Sequence, residues 1–116
     1  MAFEGSCHCG AVGFSVDADP PAEAMSCNCS HCQRKGFLLA FLPADTFTLT
    51  KGEDALTDYL FNKHNIRHRF CATCGTEAFA EGKGPGGSEV RAINLRCVPS
   101  IELDSLTINK VDGANF

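Results

Sequence analysis

Ile66-Arg67-His68-Arg69-Phe70-Cys71-Ala72-Thr73-Cys74-Gly75-Thr76 decides how this chain is read. Ile66, His68 and Phe70 alternate with Arg67, Arg69 and Cys71, which is the period of a strand, and that strand delivers Cys71. Cys71 to Cys74 is a tight turn that aims two sulfurs at one point. Gly75 after it lets the backbone take a positive φ and close round a metal. Thr76 to Ala80 reads as the next strand. β structure and sulfur chemistry therefore arrive together in one short unit.

Two further cysteine groups lie upstream: Cys7-His8-Cys9-Gly10, and Cys27-Asn28-Cys29-Ser30-His31-Cys32. Seven of the eight cysteines thus fall in groups of two, three and two, with Cys97 alone. Residues 1–9 hold no basic start followed by an apolar stretch, so no export signal is read and a cytoplasmic location is expected. The longest apolar run, Phe37 to Pro43, is far too short to cross a bilayer. A reducing compartment favours metal chemistry over disulfides. A thiolate-rich donor set selects zinc or iron–sulfur among the common metals.

Zinc takes four ligands in a closed structural site, and three with an open position in a catalytic one. Seven thiolates therefore fill one closed site and leave one open, if Cys97 and the histidines stay out. Spacing leaves the pairing undecided. Cys29 and Cys32 can join Cys71 and Cys74, as in a zinc ribbon, which strands Cys7, Cys9 and Cys27. Alternatively Cys7 and Cys9 join Cys71 and Cys74, leaving Cys27, Cys29 and Cys32 as a local triad.

The rest of the chain supports a mostly β fold of short antiparallel strands. Val12, Phe14 and Val16 share one face of a strand over Ala11 to Asp17, which Asp19-Pro20-Pro21 ends. Phe37 to Leu42, Thr46 to Thr50 and Ala55 to Phe61 are further strands, and Glu89 to Val98 is the longest. Gly82 to Gly87, with four glycines and a proline, reads as a loop. No segment shows a strong helical period. Short helical turns are expected at most, near Pro43 to Phe47 and Ser100 to Leu106. The 116 residues are expected to form a single domain. A net charge of −4 argues against a nucleic-acid or membrane partner, since phosphate binding rests on clustered Lys and Arg.

Gly5 to Val12, Cys27 to Arg34 and Arg69 to Thr76 together resemble the glutathione-dependent formaldehyde-activating enzyme family, which includes centromere-protein-V-like proteins. Order, spacing and flanks match over roughly residues 5 to 98. The resemblance implies an Mss4-like, tent-shaped β fold and two zinc ions per chain. It implies a structural zinc at Cys7, Cys9, Cys71 and Cys74, and an active-site zinc at Cys27, Cys29 and Cys32. The implied activity is a carbon–sulfur lyase acting on adducts of glutathione, or a similar small thiol, with a carbonyl compound.

An open three-thiolate zinc suits that chemistry, because its net charge makes it a weak Lewis acid but a good host for a thiolate. Glutathione carries two carboxylates. Arg34 and Lys35 follow the triad directly and are the candidates to receive them, with Lys63, Arg67 and Arg69 behind, unless these are only solvated strand faces. His31 sits inside the triad. An imidazole there must bend away to coordinate, so it is read as lying beside the ligands or on the surface. His8, His64 and His68 carry no signal, and Cys97 reads as a small buried apolar residue in a strand. The competing function is a non-catalytic zinc module that binds another protein.

Overall fold

The computed structural model describes residues 2–60 and 66–112. Among the described residues, ten strands and one α-helix follow in chain order: β1 Phe3–Ser6, β2 Gly13–Val16, β3 Glu23–Cys27, α1 Ser30–Lys35, β4 Leu39–Pro43, β5 Phe47–Lys51, β6 Leu56–Tyr59, β7 Arg67–Cys71, β8 Glu77–Lys83, β9 Glu89–Asn94 and β10 Thr107–Val111. The expected mostly β class is what the chain adopts.

Two sheets form. β1, β2 and β5 make a three-stranded antiparallel sheet. The other seven strands run β10-β3-β4-β9-β8-β7-β6, antiparallel except for the parallel β10–β3 pair at one edge. The alternating Val12, Phe14 and Val16 are 0–1% exposed, so that face of β2 is fully inward. Phe14 stacks on Phe47 of β5 at 5.4 Å and meets Phe79 of β8 edge-on at 6.4 Å. Phe47 and Phe79 are 4.6 Å apart. These three rings join the small sheet to the large one, and burying aromatic area of this kind dominates a core this size.

Several expectations shift. The strand read over Glu89 to Val98 stops at Asn94, whose side chain accepts from the Arg96 N–H and starts a 3-10 turn over Leu95–Cys97. Cys97 therefore lies in that turn and not in a strand. Gly82 and Lys83, read as loop, extend β8, because they pair with Val90 and Glu89. Phe41 within the apolar run is 48% exposed, so β4 is not buried on both faces. The helical turns expected near residues 43–47 and 100–106 are the 3-10 turns Ala44–Thr46 and Leu103–Ser105. Phe61, Lys63 and His64 lie outside the described residues.

α1 was not expected. It starts because Cys29, in extended backbone, turns its sulfur to accept from the Cys32 N–H, as a capping serine would. It stops at Gly36, whose N–H returns to the Cys32 carbonyl at 2.9 Å.

Candidate metal centres and the adjoining pocket

Two loops from different sheets bring four sulfurs together. β1 leads into Cys7, whose N–H reaches the Val12 carbonyl at 3.0 Å, closing the loop that carries Cys9. β7 ends at Cys71, and the turn back to β8 is closed by Cys71 N–H to Thr76 carbonyl at 2.9 Å and Gly75 N–H to Cys71 carbonyl at 2.8 Å. Gly10 and Gly75 have φ of 84° and 80°, which the cysteine turns require and a side chain would resist. Sγ atoms of Cys7, Cys9, Cys71 and Cys74 all lie within 4.8 Å of one another. Cys7 to Cys9 and Cys9 to Cys71 are both 3.7 Å. Sulfurs about 2.3 Å from a zinc at tetrahedral angles are about 3.8 Å apart. None of the eight cysteines forms a disulfide.

Backbone N–H groups point at two of these sulfurs. Cys7 Sγ accepts from the Val12 N–H at 3.3 Å, and Cys71 Sγ from Thr73 and Cys74 N–H at 3.4 and 3.5 Å. The Thr76 hydroxyl, 3.4 Å from Cys74 Sγ, together with backbone N–H groups, holds Cys74 down to about 5. The Cys71 thiol is also lowered, chiefly by the Cys74 N–H. The Ala11 N–H acts to lower Cys9, yet burial and the neighbouring sulfurs push it up to about 11. Cys9, Cys71 and Cys74 thus hold their protons unequally, and a dication bound by the four crowded sulfurs fits the donor set.

The second group is local. Cys27 ends β3, Cys29 caps α1 and Cys32 lies within it, and their sulfurs also fall within 4.8 Å of one another. Cys27 Sγ accepts from Cys29 N–H at 3.5 Å and Cys29 Sγ from Cys32 N–H at 3.3 Å. Burial pushes the Cys32 thiol up, while N–H groups outweigh burial and lower Cys29. Among the described residues no fourth ligand atom joins this set. Cys97 joins neither group; its buried thiol donates to the Glu77 carbonyl at 4.0 Å.

His31 does not join the three-sulfur group; it forms a third group with His68 and Glu77. Glu77, at the start of β8, has a side chain only 2% exposed. Its Oε1 accepts from Lys35 Nζ at 2.7 Å, and its Oε2 lies 2.8 Å from His68 Nδ1. His31 Nε2 is 3.8 Å from Oε1, and the two imidazole rings are 4.1 Å apart. The His31 ring also stacks on Tyr59 at 5.6 Å. Burial, then the neighbouring His68, holds His31 down at about 4, so it is neutral near pH 7. Sequence reasoning missed Glu77 and His68. A lone acid in the apolar stretch Thr76 to Ala80 was the available signal.

Beside this cluster lies an open pocket of about 440 Å³ lined by Ser30, His31, Arg34, Lys35 and Tyr59, a volume within the range of small-ligand sites. Lys35 reaches it while bound to Glu77, and Arg34 Nη1 donates to the Ser30 carbonyl at 2.9 Å. Arg67 and Arg69 are committed elsewhere. Arg67 donates to Asp58 at 2.7 Å and Glu81 at 3.2 Å, and Arg69 to Asp58 at 2.9 Å and Glu81 at 3.4 Å. Burial acts to raise Asp58, but the hydrogen bonds from Arg67 and Arg69 hold it below its usual value.

Residues 2–103 match the family described as glutathione-dependent formaldehyde-activating enzyme. The backbone is similar to the crystal structure of a Rhodobacter sphaeroides protein, a Northeast Structural Genomics target. The two superpose with a TM-score of 0.77 at 28% sequence identity, over 91% of this chain and 99% of that one. No helix among the described residues is long and apolar enough to cross a membrane.

Proposed function

The chain belongs to the glutathione-dependent formaldehyde-activating enzyme family, and on that premise we propose that it is a cytoplasmic, zinc-dependent carbon–sulfur lyase. Its substrate is the adduct of a small thiol, glutathione or a relative, with a carbonyl compound. Two zinc ions are held per chain, one structural at Cys7, Cys9, Cys71 and Cys74, and one at Cys27, Cys29 and Cys32. A zinc ion with three protein thiolates supplies an open position at which an exchangeable thiol is kept deprotonated. The observation that carries this reading is the three-sulfur group itself, built within six residues and joined by no fourth ligand atom among the described residues.

The chain's own residues do the rest. Backbone N–H groups of Cys29 and Cys32 orient the sulfurs and share their negative charge. α1 is about 9 Å long, so Arg34 and Lys35 lie within the reach of a tripeptide whose sulfur sits at the triad. The pocket they line receives its carboxylate end. Holding both reactants in place removes much of the entropic barrier to a two-body addition.

Calorimetric titration of the zinc-loaded protein tests the reading. Glutathione binds saturably, and ophthalmic acid, which has the same shape without the thiol, binds at least about tenfold more weakly. Equal binding of the two removes the metal–sulfur contact and puts a protein-binding zinc module in its place.

A further inference from the structure

Lys35 and Arg34 occupy the same pocket, yet they are not equivalent. Lys35 Nζ sits 2.7 Å from Oε1 of Glu77, whose carboxylate is 2% exposed and so scarcely screened by water. At that range the pair acts on a ligand as a dipole and not as a cation. Arg34 has no carboxylate partner among the described residues; its bond is to the neutral Ser30 carbonyl. Of the other cations expected to serve, Lys63 lies outside the described residues, and Arg67 and Arg69 are matched by Asp58, Glu81 and Glu53. Of the pocket's fixed charges, one cation stands uncompensated among the described residues.

We infer that Glu77 sets the ligand class of this pocket, muting Lys35 so that the pocket grips one carboxylate, through Arg34, and not two. This rests on the thiol-binding reading and narrows it. The favoured thiol carries a single carboxylate at the pocket end, and the second carboxylate of glutathione stays in solvent. Glu77 does not itself meet the ligand. It acts through Lys35, with His68 Nδ1 on its other oxygen at 2.8 Å fixing the carboxylate in place.

Acetate and glutarate, with one and two carboxylates and no sulfur, separate this inference from the thiol reading. Each is titrated into the zinc-loaded full chain and followed on the Arg34 and Lys35 side-chain NMR signals. In the wild type, glutarate binds no more than about threefold tighter than acetate, little beyond the statistical factor. Glu77→Gln frees the Lys35 charge, and glutarate then gains about tenfold while acetate gains less. Arg34→Ala loses both ligands. A tenfold preference for glutarate in the wild type, an unchanged ratio in Glu77→Gln, or no carboxylate binding at Arg34 overturns the inference. Should Glu77→Gln fail to fold, the wild-type ratio still decides. None of these readings depends on whether glutathione outbinds ophthalmic acid, so either idea can fail without the other.

Discussion

The two sulfur groups use the same donor chemistry to tie together very different amounts of protein. Cys7 and Cys9 sit on the loop between β1 and β2, in the small sheet, while Cys71 and Cys74 sit between β7 and β8, in the large one. Cys7 and Cys71 are buried. A metal there spans two sheets and a long stretch of chain. Cys27, Cys29 and Cys32 lie on one strand end and one helix turn, each partly buried. A metal there organises six residues. The lesson is that ligand number alone does not separate a structural site from a working one; what the ligands are attached to matters as much.

The hardest blow to that contrast comes from Cys71→Ser. Binding energy of a structural zinc is about 10–16 kcal/mol in small metal-folded peptides, against a net stability of about 5–15 kcal/mol for a whole domain. Cys71→Ser is therefore expected to lose its cooperative melt and to aggregate, with calorimetry and metal analysis as the readouts. A variant that melts like the wild type removes the stapling role.

Cys29→Ser probes the other side. It loses one metal and keeps the fold, because a serine oxygen can still accept from the Cys32 N–H and cap α1. Cys29→Ala loses the cap too, at an added cost of about 1 kcal/mol. If Cys29→Ser destabilises the protein as much as Cys71→Ser, the contrast is broken.

Acid should separate the two groups in order. Metal binding requires thiolates, so protons compete, and affinity at both groups falls as pH falls. Each group mixes thiols that hold their protons loosely and tightly: Cys74 and Cys71 are lowered but Cys9 is raised in one, and Cys29 is lowered but Cys32 raised in the other. What ranks them is ligand number, since the three-sulfur group has one ligand fewer. Metal release on stepwise acidification, followed with a chromogenic chelator, is expected to show the three-sulfur group emptying at the higher pH. Simultaneous release or the reverse order would show that the two groups hold metal alike.

How much of this contrast the sequence shows depends on range. Val12, Phe14 and Val16 announce β2, because alternation over a few residues is a local signal. The sulfur groups are legible for the same reason, whereas spacing alone left their pairing open. α1 is invisible, since six residues give no helical period and its cap is a cysteine. β10, exposed at four of its five residues on the sheet edge, has no apolar face to betray it. The Lys35–Glu77–His68 cluster is hardest. Its members come from α1, β8 and β7, and the β7–β8 register slips between Arg69 and Phe70, placing buried His68 and Arg69 against the alternation. Such a juxtaposition exists only after the sheet has formed.

The smallest expected effect sharpens the contrast from the side of ordinary electrostatics. Asp58 on β6, Arg67 and Arg69 on β7 and Glu81 on β8 form an ion network along the strands that carry Cys71 toward its partners. If the sulfurs do the stapling, loosening this network should matter little. Asp58 and Arg67 are partly exposed, with side chains 30% and 49% accessible, and exposed pairs contribute about 0–1 kcal/mol each. Asp58→Asn is therefore expected to lower stability by about 1 kcal/mol or less, with metal content unchanged. The sign with pH follows from the lowered Asp58 carboxyl. Its folded value lies below the unfolded one of about 3.9, so its contribution is present above that value and is lost as pH falls through the folded one. The wild-type and Asp58→Asn melting curves should therefore differ at neutral pH and converge in acid. A loss of several kcal/mol, or of metal, in Asp58→Asn would mean that strand electrostatics and not the four sulfurs hold β7 in place.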